Sequence, residues 1–177
     1  MEKKKENNMR EIKIEKLTLN CGTGVEQPKL DKAMKLLQVI SGAKPIRTKS
    51  KRRIPSLGLR IGLPIGCKVT LRGKKTYDLL KRLLESIGNK LKRRQFNPGS
   101  FAFGIKEYIE IPGMTFQREV GIMGLEVCVT LARKGYRIEE KKLKTGKVPL
   151  RHRITKEETV DFVKEKFNTQ ILEKGEK

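Results

Sequence analysis

The side chains best suited to chemistry in this sequence are cationic, and they are concentrated in residues 44–75. This stretch holds eleven lysines and arginines and no acidic residue. It ends in an alternating segment, Cys67–Arg72, and successive side chains of a strand point to opposite faces. The pattern predicts a strand with one apolar face for the core and one polar face that carries Lys68, Thr70 and Arg72. We expect the polar face to bind an anion.

Residues 52–63, just before this strand, have the composition of an exposed loop. Pro55, Gly58 and Gly62 are spread among basic and apolar residues. Glycine and proline are typical of surface turns, and loops carry a large share of binding residues. We therefore expect a basic loop that projects from the sheet.

Groups that could perform catalysis are few. The only histidine, His152, lies between Arg151 and Arg153, and two neighbouring cations disfavour a proton-accepting role. No serine or cysteine has a histidine base at a recognisable spacing, and Glu107 and Glu110 are not a convincing acid–base pair. The sequence therefore predicts a protein that is not an enzyme.

Two glycine-containing segments resemble phosphate-binding loops only superficially. Gly62, Gly66 and Lys68 are too closely spaced for a P-loop, and the segment leads into a strand rather than a helix. Gly22 and Gly24 precede a predicted helix and could offer backbone N–H groups to a phosphate, but a tight turn is the favoured interpretation.

The three cysteines show no metal-binding pattern. Cys21, Cys67 and Cys128 are far apart, odd in number and without a CxxC spacing. This arrangement excludes a disulfide scaffold and disfavours a zinc site. We expect no cofactor, and we expect cysteines that pack as small apolar residues.

The charge balance predicts a dense anionic partner. The chain has 42 basic and 20 acidic residues, and its formal net charge is +22. Close like charges repel by up to about 4 kcal/mol at an effective dielectric near 20, so such an excess must be dispersed or neutralised by a polyanion. Nucleic acid is favoured over a membrane because the sequence has no apolar run of about 18 residues, no signal peptide and no lipidation motif. We expect a soluble, cytoplasmic protein.

Residues 12–20 are predicted to form the strand beside Cys67–Arg72. The isoleucines and the leucines of this segment are in opposite phases, so a bulge or break is required near Glu15 and Lys16. Placing Leu17 and Leu19 inward leaves two polar side chains on the face opposite the core. These are Thr18 and Asn20.

Periodicity predicts the remaining elements. Helical spacing indicates helices over residues 28–41, residues 74–91 and from Thr155, where Thr155 and Glu158 fit a capping box. Alternation predicts further strands over residues 101–111 and 125–131, in which Phe101 and Phe103 belong to the core phase rather than to a base-stacking face. Residues 95–100 are expected to form a turn, and residues 133–153 are expected to be loop-like.

This order of elements predicts an α+β fold. We expect a mostly antiparallel sheet with helices packed on one face and an RNA-facing polar face on the other. A single RNA-binding domain is expected over residues 9–168, with a disordered N-terminal tail over residues 1–8 and a C-terminal tail over residues 169–177. Binding should depend on contacts with phosphates and on the shape of the nucleic acid. Asn20 and Thr70 should add a few specific hydrogen bonds.

Several motifs resemble the universal large-subunit ribosomal protein of the fifth family, which binds 5S rRNA. They are KLTLNCGTG at residues 16–24, SGAKPIRTKSK at 41–51, GLPIGCKVTLRG at 62–73 and IPGM…GIMGLEVCVTL at 111–131. The segment RHRITKEE at residues 151–158 looks like the archaeal and eukaryotic branch of that family. The resemblance covers residues 9–167 in the family's order.

The resemblance implies a protein of the central protuberance that anchors 5S rRNA to the large subunit and touches 23S rRNA. It also implies an intersubunit bridge with small-subunit ribosomal protein thirteen, contact with other central-protuberance proteins, and contact with P-site tRNA through the loop Lys51–Ile61. In the family, the Asn of LNxGxG and the Thr of VTLR contact 5S rRNA, and these correspond to Asn20 and Thr70. The family often has Gln in a GQKP motif, where this chain has Ala43, and losing such a hydrogen bond costs about 1 kcal/mol.

Two groups of candidate site residues follow. The predicted 5S rRNA site comprises Thr18, Asn20, Lys44, Arg47, Thr48, Lys68, Thr70 and Arg72. The predicted tRNA-contacting residues are Lys51, Arg52, Arg53, Ser56, Leu57 and Arg60. Two alternatives to the ribosomal function are a free-standing RNA chaperone of low specificity and an RNA-modifying enzyme.

Overall fold

The computed structural model describes residues 7–172, in which eight strands and four α-helices follow the apolar patterns of the sequence. The strands are β1 (Ile12–Gly22), β2 (Ile46–Lys49), β3 (Pro64–Leu71), β4 (Lys90–Lys92), β5 (Phe96–Asn97), β6 (Ser100–Ile105), β7 (Leu125–Arg133) and β8 (Gln170–Leu172). The helices are α1 (Gln27–Ser41), α2 (Lys75–Glu85), α3 (Arg137–Glu140) and α4 (Lys156–Phe167). None of the helices in this part of the chain is long and apolar enough to cross a membrane.

Six of the strands form one antiparallel sheet in the order β2-β3-β1-β7-β6-β5. The remaining two strands, β4 and β8, pair in parallel as a small separate sheet. On one side of the large sheet, α1 contacts β3, α2 contacts β1 and α4 contacts β5. The predicted α+β class, with a mostly antiparallel sheet and helices on one face, is confirmed.

The irregularity predicted in the first strand is present. The register of β1 against β7 shifts between Ile14 and Lys16, so that Glu15 is the extra residue of a β-bulge. Beyond the bulge, Leu17 and Leu19 are fully buried, while Thr18 and Asn20 remain partly exposed on the other face. The bulge therefore allows both apolar phases of one strand to face the same core.

Apolar side chains of α1 and α2 cover the inner face of the sheet. The fully or nearly fully buried residues of α1 are Leu30, Ala33, Leu36, Leu37 and Ile40. Sequence periodicity assigned Met34 to this stripe, but Met34 is only half-buried and Leu36 is buried instead. Helix α1 ends as predicted at Gly42, whose φ of 65° is left-handed and whose backbone N–H donates to the Gln38 carbonyl oxygen at 2.8 Å.

The helix predicted over residues 74–91 is too long. Helix α2 ends at Glu85, and the positive φ angles of Gly88 (65°) and Asn89 (54°) cannot continue a right-handed helix. Leu91 is buried as expected, but it lies in β4, where it pairs with Ile171 of β8. An apolar residue at position 91 fits both the buried stripe of a longer helix and the inward face of β4. Periodicity alone therefore could not identify the end of the helix.

The strand predicted over residues 101–111 is also too long. Strand β6 ends at Ile105, and a short 3-10 helix follows at Tyr108–Glu110. Tyr108 is fully buried and its hydroxyl oxygen accepts a hydrogen bond from the Gln117 backbone N–H at 2.9 Å, whereas Ile109 is turned outward. Phe101 and Phe103 are buried in the core, as predicted. The predicted turn over residues 95–100 is shorter, because β5 and β6 pair within it through Asn97 and Ser100.

Both predicted tails extend beyond the described residues. Residues 1–6 of the predicted N-terminal tail and residues 173–177 of the predicted C-terminal tail lie outside them. Within the predicted C-terminal tail, however, residues 170–172 form β8, and the Gln170 backbone N–H donates to the Asn89 carbonyl oxygen at 2.8 Å. Regular structure therefore continues to Leu172, because β4 supplies a partner strand that the sequence pattern did not reveal.

The last helix begins as predicted, with a capping box at Thr155 and Glu158. Glu158 also accepts a hydrogen bond from the buried guanidinium of Arg133 at 2.7 Å. Partial burial raises the pKa of Glu158, but its hydrogen bonds with the Thr155 backbone N–H and with Arg133 outweigh that effect and keep the pKa below its ordinary value. Arg133 ends β7, so the predicted loop-like stretch begins one residue later. That stretch contains only α3 and a short 3-10 helix at Leu150–His152.

We predict that Gly66→Ala destabilises the sheet. A Cβ atom at Gly66 would lie 2.7 Å from the Cys21 carbonyl oxygen and 3.1 Å from Thr48 Oγ1. Because the closer atom belongs to the backbone, relief requires a strand to move, and we expect a loss of about 1–3 kcal/mol in the free energy of unfolding. The measurement is urea denaturation monitored by circular dichroism.

The matched control is Gly104→Ala on β6. A Cβ atom at Gly104 would meet no atom within 4 Å, so this substitution should leave the free energy of unfolding nearly unchanged. Equal destabilisation by both substitutions would contradict the close approach of β1 and β3 at Gly66.

Candidate nucleic-acid interface

The six-stranded sheet has one face that α1, α2 and α4 leave uncovered, and we call it the open face. Helix α3 and the segment after it border only the end of this face, at Lys16, Ser100 and Thr130. The alternation and register of the strands place the following residues on it: Lys16, Thr18, Asn20, Ile46, Thr48, Gly66, Lys68, Thr70, Ser100, Ala102, Gly104, Glu126, Cys128 and Thr130. Lys68, Thr70, Glu126 and Cys128 are exposed to solvent. The predicted orientation of the polar strand residues is therefore confirmed.

Strand register brings the central residues of the predicted 5S rRNA site together. Asn20 lies opposite Lys68, and Thr18 lies opposite Thr70, on the neighbouring strands β1 and β3. Directly opposed residues of an antiparallel pair have Cβ atoms about 4.5–5.5 Å apart. A cation, an amide and two hydroxyl groups thus form one continuous patch.

An acidic residue that sequence reasoning did not include orients this patch. The Asn20 side-chain nitrogen Nδ2 donates to Glu126 Oε2 at 3.0 Å. A carboxylate only accepts hydrogen bonds, so the amide nitrogen must face Glu126 and the amide oxygen is left to accept from a ligand. The alternation of residues in β7 indicates that Glu126 lies on the face opposite the core. Its partner Asn20 is 106 positions away in the sequence, so local spacing could not reveal their hydrogen bond.

Charge is unevenly distributed over the open face. The part formed by β3 and β1 carries Lys68 and Lys16, with Arg72 exposed just beyond the end of β3. The part formed by β7 and β6 carries Glu126 and otherwise small, uncharged side chains. An anionic backbone is therefore attracted to one side of the face only.

Arg47 does not belong to this patch. It pairs with Cys67, whose side chain points into the core, and its guanidinium donates to Asp31 Oδ1 at 2.9 Å and to the Met34 sulfur at 3.3 Å on α1. Its neighbour Ile46 occupies the open face instead and is 65% exposed. The sequence could not reveal this, because the phase of a short edge strand depends on its register against β3.

The remaining residues of the predicted 5S rRNA site are accessible. Thr48 lies on the open face above Gly66. Lys44 is exposed just before β2, and Arg72 is exposed with its Nη2 atom 4.0 Å from Glu15 Oε1. These residues surround the Asn20 patch but have no contact with it that would fix their orientation.

The predicted tRNA-contacting loop is an ordered protrusion between β2 and β3. Two backbone hydrogen bonds of 3.0 Å join Ile54 and Leu59, and a 3-10 helix at Pro55–Leu57 ends at Gly58, where φ is 66°. Further backbone hydrogen bonds close its base at Ser50. All six predicted contact residues are exposed: Lys51, Arg52, Arg53, Ser56, Leu57 and Arg60.

The described residues contain no cluster of side chains that could hold a metal ion. No three His, Cys, Asp or Glu side chains within residues 7–172 lie close enough together to hold a metal ion. Nε2 of His152 lies 2.9 Å from the Lys134 carbonyl oxygen and donates to it, because a carbonyl can only accept. The His152 ring is therefore held by the backbone of Lys134.

An antiparallel sheet with helices on one side and a cationic, hydrogen-bonding face on the other has the physical properties of an RNA-binding α+β protein. Comparison with protein families makes the class specific. Residues 7–60 match the model described as ribosomal protein L5, and residues 64–162 match the model described as the C-terminus of the same ribosomal family. The chain belongs to the ribosomal protein L5 family, which is structural and not enzymatic. The resemblance inferred from the motifs is thus confirmed.

Individual relatives agree over nearly the whole chain, and each is named large ribosomal subunit protein uL5. The relative from Nanoarchaeum equitans is 49% identical over 168 residues, which cover 94% of this chain and 99% of the relative. The relative from Sulfolobus acidocaldarius is 44% identical over 97% of both chains. The relative from Methanosphaera stadtmanae is 42% identical over 93% of this chain and 99% of its own length.

We predict that N-ethylmaleimide modifies one cysteine in the native protein. Cys128 is exposed on the open face, whereas Cys21 and Cys67 are buried in the core. Desolvation, together with the nearby Glu126 carboxylate, raises the pKa of the Cys128 thiol. The thiolate is the reacting form, so labelling should be slow at neutral pH and should still accelerate above pH 8.5, the approximate pKa of a free cysteine.

The measurement is pulse labelling at several pH values, followed by intact mass and peptide mapping. Unfolding in urea serves as the control and should expose all three cysteines. Rapid labelling of Cys67 before unfolding would contradict its place beneath the sheet.

Proposed function

We propose that this protein is a structural constituent of the cytoplasmic large ribosomal subunit that binds 5S rRNA through its open face. Membership of the ribosomal protein L5 family supports this proposal, and so do the names of its relatives. The single observation that carries it is the register of β1 and β3, which places Asn20 beside Lys68 and Thr18 beside Thr70 on an uncovered surface.

The open face can recognise RNA by two kinds of contact. Lys68 and Lys16 attract backbone phosphates, and this attraction is independent of sequence. The Asn20 amide oxygen, held by Glu126, and the Thr70 hydroxyl can both accept a hydrogen bond from a ribose 2′-OH. The 2′-OH is the group that distinguishes RNA from DNA, so these neutral groups supply the preference that the cations lack.

The loop of residues 51–61 supports a second contact. Its exposed arginines and the exposed side chains of Leu57 and Ile61 lie beyond the edge of the open face, on a protrusion with its own backbone hydrogen bonds. We assign this loop to P-site tRNA. The surrounding cationic surface is assigned to 23S rRNA, to small-subunit ribosomal protein thirteen and to other proteins of the central protuberance, which is where the protein would attach 5S rRNA to the large subunit.

We predict that the double variant Asn20→Ala, Thr70→Val weakens binding to 5S rRNA. Each substitution removes one hydrogen bond to RNA worth about 1 kcal/mol, so affinity should fall about thirtyfold without a change in folding. In the wild-type protein, bound 5S rRNA should also slow the labelling of Cys128 on the same face. Filter binding and maleimide kinetics provide the two measurements.

A matched control replaces Gln38 and Thr115, both exposed on the helix side of the sheet, by Ala and Val. Unchanged 5S rRNA affinity in the Asn20 and Thr70 variant would remove the site assignment. The comparison should be repeated at higher salt, because phosphate contacts weaken with a slope of about 0.7–0.9 per phosphate. With rising salt, a low-specificity chaperone would lose affinity for 5S rRNA and for unrelated RNA in parallel. The proposed function predicts instead that the affinity for 5S rRNA remains higher than the affinity for unrelated RNA.

We predict a different outcome for the loop variant Arg52→Ala, Arg53→Ala, Arg60→Ala. It should retain most of its 5S rRNA affinity, because these side chains lie on the protrusion rather than on the open face, and it should lower the yield of a crosslink between the loop and P-site tRNA in reconstituted ribosomes. The control Lys32→Ala, Lys81→Ala, Lys164→Ala removes the same charge from exposed positions on α1, α2 and α4, on the opposite side of the sheet. A loss of 5S rRNA affinity as large as that of the open-face variant would refute this division of the surface.

A further inference from the structure

One row of directly opposed residues crosses four strands of the open face. Lys68 of β3 lies opposite Asn20 of β1, and Asn20 lies opposite Glu126 of β7. Gly104 of β6 continues the row beyond Glu126. Neighbouring strands are about 4.7–4.9 Å apart, so Lys68 and Glu126 are about 9–10 Å apart across the sheet. The row therefore changes from a cation through a neutral amide to a carboxylate over two strand spacings.

The Glu126 carboxylate is exposed, and only one of its oxygens is engaged. Oε2 accepts from Asn20 Nδ2 at 3.0 Å, whereas Oε1 forms no hydrogen bond or ion pair within residues 7–172. A shallow cavity of about 370 Å³ lies beside the carboxylate, and Gly22, Gly104 and Gly124 are among the residues that line it. A Cβ atom at Gly22 or Gly104 would meet no atom within 4 Å. A hydrogen-bond donor of a ligand can therefore approach Oε1 without displacing a side chain.

The distribution of charge determines how an RNA can lie along this row. Lys68 and Lys16 attract a phosphate backbone to β3 and β1, whereas Glu126 repels phosphates from β7. Lys106 also lines the cavity, but it is exposed just beyond the end of β6 and forms no ion pair with Glu126. When the backbone lies over β3 and β1, the edges of sugars and bases, rather than phosphates, lie over Glu126.

The side chains of the open face suit double-helical RNA better than unpaired bases. Unpaired bases are commonly bound by stacking on aromatic side chains, but Phe101 and Phe103 of β6 are buried in the core. None of the described residues on the open face is aromatic. Around Glu126 the face carries small side chains, which are those of Ala102, Gly104 and Cys128. The minor groove of an RNA helix is wide and shallow, so a carboxylate that rises from such a surface can reach the base edges.

We propose that Glu126 accepts a hydrogen bond from the 2-amino group of guanine in the minor groove of double-helical RNA, an inference that rests on the proposed function. Lys68 contacts a phosphate of the same RNA, and the Asn20 amide oxygen accepts from a ribose 2′-OH. The cation, the amide and the carboxylate thus meet phosphate, sugar and base in the order that leads from the backbone into the groove.

Guanine follows from the chemistry of a carboxylate, which can only accept hydrogen bonds. In the minor groove, adenine N3 and pyrimidine O2 are acceptors, and the guanine 2-amino group is the donor on a base edge. An adenine–uracil pair would therefore place an acceptor opposite Oε1. The ribose 2′-OH is also a donor in this groove, but every nucleotide carries it, so it cannot select a base. Glu126 would add a preference for guanine–cytosine pairs that the lysines do not have.

The test uses RNA duplexes of about 16 base pairs that differ in the 2-amino group. Guanosine–cytidine duplexes carry this group and inosine–cytidine duplexes lack it, while their phosphates, riboses and major-groove edges are the same. Duplexes of uridine with 2,6-diaminopurine or with adenosine provide a second comparison with and without the amino group. In fluorescence anisotropy titrations, each duplex with the amino group should bind about tenfold more tightly than its counterpart without it.

The variant Glu126→Gln should abolish this preference. The glutamine oxygen would accept from Asn20, which leaves the glutamine N–H₂ group facing the amino group of guanine. If Glu126 acts only by orienting Asn20, the variant would instead weaken the binding of all four duplexes by the same factor. The control Glu165→Gln removes the same charge from an exposed position on α4 and should retain the preference. Thermal melting followed by circular dichroism would establish that both variants are folded.

Three results would overturn the proposal. They are equal affinity of the wild-type protein for duplexes with and without the amino group, a preference that persists in Glu126→Gln, and an equal loss for all four duplexes in that variant.

The two proposals can fail separately. If 5S rRNA binds preferentially but the amino group has no effect, only the contact of Glu126 with guanine is refuted. If the amino group strengthens binding but 5S rRNA binds no better than unrelated RNA, the assignment of 5S rRNA is refuted and the contact remains.

Discussion

The register of β1 against β3 is the constraint on which the rest of the structure depends. Leu17, Leu19 and Cys21 face the helices, and a slip of one residue would bury Thr18 and Asn20 in their place. Each fully buried leucine contributes about 1.5–3 kcal/mol, whereas a typical hydrogen bond contributes about 1 kcal/mol. Packing beneath the sheet therefore decides the register, and the polar pattern of the open face is its consequence.

The open face can retain its cations because it remains in water when no RNA is bound. A helix placed over Lys68 and Lys16 would require their desolvation, which only paired charges could compensate. The same reasoning explains Glu126, which is an anion on a surface that we assign to RNA. Its hydrogen bond with Asn20 fixes one amide orientation, and its position on β7 keeps it beside the cations of β1 and β3 rather than among them.

Local patterns in the sequence predicted the features that depend on local geometry. The bulge in β1, the phases of β3 and β7, and the capping box at Thr155 were all predicted from spacing, because each depends on residues a few positions apart. The ends of α2 and β6 could not be predicted in this way, since Leu91 pairs with Ile171 and Tyr108 forms hydrogen bonds with Gln117 and Met123, contacts that spacing within one element does not reveal. The orientation of Arg47 and the pairing of Asn20 with Glu126 likewise depend on strand register. The identity of the RNA partner came from family motifs rather than from physics.

The bulge at Glu15 connects the core with the end of the open face. Ile14 and Leu17 are in opposite phases, and one extra residue between them allows both side chains to enter the core. That extra residue has no regular place on either face, so its carboxylate is partly buried without a hydrogen-bond partner for Oε1. Bulges are frequent next to binding sites because they redirect one side chain while the flanking strand keeps its pairing. Here the residue that the core requires as a spacer holds its carboxylate 4.0 Å from the Arg72 guanidinium, so a requirement of packing also sets the charge pattern at this end of the open face.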